Sequence, residues 1–301
     1  MKNKIILGVG LMALTQVAVA TPFYVDMGVN YNGDTALTSD KVTDTSTSLK
    51  NEMTYLYQSQ SIVTDTNMDG VVSAGDTITT QGGYNISTPA FGGIGENVVT
   101  GFNPSESFGT NNDNGYGGSN WLLTFSFTGL TGVITDYTPG SVLEISYGPT
   151  GVFDLYVTED GTTFQNFMDL DVTGAQTVSG GTLLTGKVDF TNVDMGTTSG
   201  GTDIKTIMRS ASQSCAGDNS FYALTQCVPD PLEVSILADF NTNAAGVVIT
   251  DLGVNGANQK VFSLTGNHDG SIVFNVPEPT TVALLGMGLL GFGLTKRNKK
   301  A

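Results

Sequence analysis

Between residues 121 and 128 the side chains alternate. Trp121, Leu123, Phe125 and Phe127 fall on one face, and Leu122, Thr124, Ser126 and Thr128 on the other. A period of two residues sends successive side chains to opposite sides of a strand, whereas a helix needs a spacing near 3.6. The pattern returns in Val142-Leu143-Glu144-Ile145-Ser146-Tyr147 and Val152-Phe153-Asp154-Leu155-Tyr156-Val157. The intervening Gly148-Pro149-Thr150-Gly151 makes these two runs a hairpin. Further strands are expected at 182–190, 232–240, 246–252, 260–264 and 271–274. Gly, Thr, Ser and Asn dominate the rest, and long stretches of strong helix formers are missing.

Eight or more short strands joined by Gly- and Asn-rich turns predict an all-β fold, a β-sandwich or jelly-roll-like body with a calcium-loop region near its N-terminus. A β-helix would need a fixed internal period. An outer-membrane barrel would need regular ten-residue strands and aromatic girdles. Neither is visible. The Gly-rich stretch 92–120 suggests a soft boundary near residue 115, giving an N-terminal region over 21–115 and a sandwich-like domain over 116–275. One continuous domain is the alternative.

The two ends of the chain are addresses. Residues 1–20 have Lys2 and Lys4, an apolar stretch from Ile5 and the small-residue ending Ala18-Val19-Ala20. That layout predicts a secretory signal peptide cut between Ala20 and Thr21. At the other end, Val276-Pro277-Glu278-Pro279 precedes an apolar run over 280–295, then Lys296, Arg297, Lys299 and Lys300. A helix cannot easily contain Pro277 or Pro279, so it should begin after them and leave the prolines extended and reachable. Its 16 residues would span about 24 Å, against a hydrocarbon core of roughly 30 Å. The expectation is a transmembrane segment with its basic end held inside. Within it, Gly286-Met287-Gly288-Leu289-Leu290-Gly291 spells a dinucleotide fingerprint, but the strand, soluble helix and acidic residue that motif needs are missing.

Pro277-Glu278-Pro279, the apolar run and the basic close together resemble the PEP-CTERM sorting signal of Gram-negative, biofilm-forming bacteria. The resemblance covers residues 276–301. It implies an exosortase-type processing enzyme as partner, transient association with the inner membrane through the C-terminal segment, and delivery to the cell surface or extracellular matrix. Exopolysaccharide or other matrix components are the further partners it implies.

The remaining body, 21–275, has six basic residues (Lys41, Lys50, Lys187, Lys205, Arg209, Lys260) against 27 acidic ones, a net charge of −21. Such a surface repels nucleic acid and attracts divalent cations. One segment has the spacing to hold one. In Asp65-Thr66-Asn67-Met68-Asp69-Gly70-Val71-Val72-Ser73-Ala74-Gly75-Asp76, oxygens fall at loop positions 1, 3 and 5 (Asp65, Asn67, Asp69) and Gly70 takes the sharp turn at position 6. The Val71 carbonyl, Ser73 and Asp76 then supply positions 7, 9 and 12, the oxygen series that Ca2+ requires. Val72 should point into the core. Asp76 stands where Glu is usual, and its shorter arm favours weak binding, roughly 10⁻⁴ to 10⁻³ M as in extracellular modules. The loop resembles those of dockerins, which pair two copies. No second copy is found, so a cohesin partner is not expected.

Cys215 and Cys227, an even pair in an exported chain, predict a disulfide. His268 sits in Gly266-Asn267-His268-Asp269-Gly270, which reads as a turn, and no nucleophile motif accompanies it. Paired carboxylates for glycan hydrolysis, which sit about 5 to 9.5 Å apart, could be drawn from Glu96, Glu106, Glu144, Asp154, Glu159 and Asp160, but composition singles out none. The expected role is therefore a non-catalytic, calcium-stabilised surface or matrix protein. A carbohydrate-binding module using Trp121, Tyr137, Tyr147, Tyr156 or Tyr222 is the alternative, and a secreted hydrolase the third.

Overall fold

The computed structural model describes residues 21–84, 98–103, 113–117, 120–178, 181–229, 231, 233–241 and 246–276. They form an almost all-β fold with one large antiparallel sheet of eleven strands, consistent with a β-sandwich-like arrangement. In chain order the strands are β1 (Phe23–Val25), β2 (Glu52–Thr64), β3 (Thr77–Gly83), β4 (Val98–Asn103), β5 (Leu122–Thr138), β6 (Val142–Tyr147) and β7 (Val152–Thr158). Then come β8 (Gln165–Val178), β9 (Gly181–Asp189), β10 (Met208–Ser210), β11 (Ser235–Asn241), β12 (Val248–Val254) and β13 (Lys260–Asn275). β1 and β10 pair as a separate two-stranded ribbon, and one short helix, α1, covers Phe221–Thr225.

The large sheet returns on itself. Hydrogen-bonded pairing runs β2–β3–β5–β7–β8–β9–β11–β13, and β13 then pairs back onto β2 from Val261↔Thr64 to Ile272↔Met53. The long strands make this possible by serving two neighbours along one edge. β5 pairs β7 over 122–128 and β6 over 132–138. β13 pairs β12 over 260–265 and β11 over 270–275. Inside, Tyr55 and Tyr57 of β2 pack edge-to-face on Phe125 and Phe127 of β5, and Phe127 stacks on Phe153 at 4.9 Å. Gly82 permits this closeness, because a Cβ there would lie 2.4 Å from the Gln58 carbonyl oxygen and 2.6 Å from the Phe127 ring. β12 lies outside the ring, and all seven of its residues are exposed.

Several expectations meet these strands directly. The alternating run at 121–128 opens β5, and both runs of the expected hairpin are strands, β6 and β7. They do not pair with each other: each pairs with a different half of the long β5, so the expected hairpin is corrected to two strands sharing one neighbour. Residues 266–270 are not a turn. They continue β13, where His268 lies opposite Tyr57 of β2. Pairing along twelve residues of β2 outweighs the turn preference of Gly-Asn-His-Asp-Gly. Hydrogen-bonded pairs also cross residue 115: β3 with β5, and β2 with β13.

Candidate metal site and sorting segment

The oxygen-rich loop 65–76 joins β2 to β3, so strands flank it rather than helices. Its carboxylates organise the turn through backbone amides. Asp65 Oδ1 accepts from Asp69 N at 3.2 Å and Oδ2 from Gly70 N at 2.8 Å. Asp76 Oδ1 accepts from Thr66 N at 3.1 Å and Oδ2 from Ser73 N at 2.8 Å. Asp69 accepts the Val71 amide at 3.0 Å and the Ser73 hydroxyl at 2.8 Å, and Asn67 Nδ2 donates to Ser73 Oγ at 2.8 Å. Gly70 has φ +86°, a conformation that costs any residue with a Cβ. Val72 is buried in the core cluster, the place expected of loop position 8. Asp65 N donates to the Lys260 carbonyl at 2.9 Å and Gly75 N to the Ile134 carbonyl at 2.8 Å, fastening the loop to β13 and β5.

Asp65 and Asp76 are 1% and 0% exposed. Burial pushes the Asp76 carboxyl above its ordinary range, and the charges of Asp65 and Asp69 add to the effect against two amide hydrogen bonds. The Ser73 hydroxyl and then the Val71 amide hold Asp69 below that range. Among the described residues no lysine or arginine ion pair reaches these three carboxylates. Uncompensated buried carboxylates are costly, and a divalent cation is one way to offset them. The all-oxygen donor set of Asp65, Asn67, Asp69, Val71, Ser73 and Asp76 suits Ca2+. The side chains are not drawn together into a metal-holding cluster: among the described residues no group of three or more His, Cys, Asp or Glu has that geometry.

A second loop of similar chemistry lies at 30–41. Asn30, Asn32 and Asp34 repeat the every-second-residue spacing of Asp65, Asn67 and Asp69. Here the cation is part of the chain. Lys41 Nζ donates to Asn30 Oδ1 at 2.9 Å, Asn32 Oδ1 at 3.0 Å and the Asp34 carbonyl at 3.0 Å. Burial lowers the Lys41 pKa from its ordinary value, opposed by the charges of Asp34 and Asp44. The spacing was visible in the sequence. The lysine seven residues past Asp34 belongs to no metal template, so spacing alone does not mark this loop as a site.

The remaining candidates are dispersed. Cys215 and Cys227 form the expected disulfide, with Cα atoms 5.7 Å apart. His268 Nε2 lies 2.7 Å from Ser59 Oγ, and the imidazole stacks on Tyr57 at 4.9 Å. Glu159 accepts from the Ser199 amide and hydroxyl, each at 2.7 Å, and from the Tyr31 hydroxyl. Asp160 caps its own turn, accepting from Thr162 N and Thr163 N. Glu144 faces Asp136 across β5 and β6. Glu96 and Glu106 lie outside the described residues. Trp121 is 1% exposed, with its indole N–H donated to the Asn114 carbonyl at 2.9 Å, so it belongs to the core. Tyr147 is likewise buried, and Tyr222 packs on Phe190 beneath the Lys205 ammonium. Tyr137 is partly buried against the core, and half-buried Tyr156 meets Tyr84, which in turn contacts Phe164.

Strand register also makes a carboxylate row that composition hid. Asp154, Asp169 and Asp189 are direct cross-strand neighbours on β7, β8 and β9. Asp169 is pushed up to about 6, chiefly by burial and further by the neighbouring Asp154 and Asp189 charges, against the Asn166 hydrogen bond.

The described chain ends inside the segment expected to sort it. Asn275 closes β13 and Val276 is buried. The expectation of a transmembrane segment, and with it of transient inner-membrane association, is corrected here. Among the described residues no helix is long and apolar enough to cross a membrane. The expected span, 280–295, and the Pro277, Glu278 and Pro279 motif lie outside the described residues. As a helix of about 24 Å the 16-residue run is shorter than the hydrocarbon core of roughly 30 Å. No curated protein and no solved structure matches the chain. Residues 275–297 match the PEP-CTERM protein-sorting motif. The chain thus carries a PEP-CTERM sorting motif behind a β-sheet body, consistent with an exosortase substrate.

Proposed function

We propose that this chain is a non-catalytic extracellular surface or biofilm-matrix protein of a Gram-negative bacterium, delivered by an exosortase-type enzyme and stabilised by Ca2+. The sorting motif at 275–297 carries the reading, because it follows directly on a sheet-rich, strongly acidic body. Asp65, Asn67, Asp69, the Val71 carbonyl, Ser73 and Asp76 would hold the ion, whose charge offsets the two buried carboxylates. Exopolysaccharide or other matrix material is the expected surrounding partner. The test is deletion of residues 276–301 in the producing cell. Loss of surface delivery is expected, and unchanged extracellular location, size and abundance would remove the basis of the reading.

Glycan binding is the second reading, favoured by the half-buried rings of Tyr84, Tyr156 and Phe164 beside Asn166 and Asp169. Retention of the protein on an exopolysaccharide column that is lost in Tyr156→Ala would support it. Equal retention of both proteins would dismiss it.

A further inference from the structure

The matched sorting segment begins within the fold, and the N-terminal edge of the described chain grips it there. Thr21 N donates to the Phe274 carbonyl at 2.8 Å, and Val276 N donates to Thr21 Oγ1 at 3.0 Å. The same hydroxyl lies 3.4 Å from the Val276 carbonyl oxygen. Thr21 is 9% exposed and Val276 2%. Beneath them Phe274 packs between Phe23 and Phe221, with both ring centroids 5.2 Å away. The grip has its own foundation. Phe23 exchanges two backbone hydrogen bonds with Lys50, whose buried ammonium pairs with Asp113 at 2.6 Å.

An enzyme that cuts a peptide must hold it extended, with main-chain groups free on both sides of the scissile bond. At Val276 the amide is already engaged, the carbonyl lies against Thr21, and the side chain is in the core. We propose that Thr21 is a positioning residue for sorting. It fixes the point where the tail leaves the body, so the processing enzyme meets Pro277-Glu278-Pro279 with no slack before it and breaks a peptide bond beyond Val276. In that step the amide C–N bond breaks. The acyl carbon passes to water or to an amine acceptor, and the proton released by that nucleophile ends on the departing amine. The inference rests on the exosortase reading above and adds where, and from what state of the body, the tail is removed.

The test uses the full chain in a cell containing the processing enzyme. It follows wild type, Thr21→Val, Thr21→Ser and Val63→Ala, the last a core change remote from the grip. Mass spectrometry reads both mature termini, so that an altered signal cut is seen directly. A wild-type product ending beyond Val276 is expected. Thr21→Val should slow tail removal several-fold or give ragged ends upstream of Val276, while Thr21→Ser behaves as wild type and Val63→Ala keeps one end. Equal rates and ends for wild type and Thr21→Val, or a wild-type end at or before Val276, would overturn the proposal. Hydrogen exchange at the Val276 amide decides the grip separately. It should quicken about tenfold in Thr21→Val, as loss of one hydrogen bond allows, and unchanged exchange overturns the proposal. A wild-type tail that is never removed would instead refute the exosortase reading, with exchange still deciding the grip.

Discussion

The loops at 30–41 and 65–76 place oxygens at the same spacing and balance them differently. In the first, three oxygens converge on the Lys41 ammonium, so the chain brings its own cation. In the second, Asp65, Asp69 and Asp76 face backbone amides and hydroxyls, which partly satisfy their oxygens without cancelling their charge. A tethered ammonium is present at any ionic composition, whereas a divalent ion depends on its concentration outside the cell. The first loop should therefore be constitutive and the second conditional.

Removing the built-in cation should have the largest effect. Lys41→Ala strips a buried donor from three acceptors and should cost about 3 kcal/mol, equally with Ca2+ or with chelator. A loss that appears only under chelation would mean the loops are not separate. Next is the ion itself. At about 10 mM Ca2+ and the affinity expected for such a loop, binding should contribute about 1.4–2.7 kcal/mol. Chelation should lower the melting temperature of wild type and leave Asp65→Ala/Asp69→Ala unmoved. An unchanged wild-type melt would break the comparison.

The pH dependence sharpens it. The folded-state pKa of Asp76 is raised, so without Ca2+ the folded chain holds that proton more tightly than the unfolded chain. The stability this gives is complete below the unfolded value, about pH 4, and is lost as pH rises through the raised one. Asp169 runs in the same direction up to about 6, so the measurement is the difference between wild type and Asp76→Asn melts across that window. Saturating Ca2+ favours the ionised carboxylate and should reverse the slope. A Ca2+-independent slope would count against the ion. The smallest effect is in the turns. Gly33 (φ +75°) and Gly70 (φ +86°) both have open space around them. Alanine at either should cost about 1 kcal/mol by urea titration. Only Gly70→Ala should also weaken the response to Ca2+.

Much of the strand content was readable because burial on one face imposes a period of two. β5 announced itself through Trp121, Leu123, Phe125 and Phe127 and β6 through Leu143, Ile145 and Tyr147, all of them buried. β2 carries a comparable signal in Met53, Tyr55 and Tyr57, but the following Gln58, Ser59 and Ser61 are polar and buried, which hydropathy alone reads as surface. The centre of β13 is composed of turn formers, so hydropathy shows two short strands, and only pairing with β2 makes it continuous. The 65–76 loop was legible because its ligands are local in sequence. The Asp154, Asp169 and Asp189 row was not, since it exists only through the register of three strands. The sorting motif was plain, while the hold of Thr21 on Val276, 255 residues away, depends on closure of the whole body.

That closure bears on when the molecule can exist. β13 must find β2 roughly 200 residues earlier in the chain, and contacts so distant form slowly because loop entropy is lost before any pairing repays it. A polypeptide emerging N-terminus first has no partner for β2 along this seam until its final strand arrives. β13 is the last of the described strands in the chain, so this seam can close only after it has emerged.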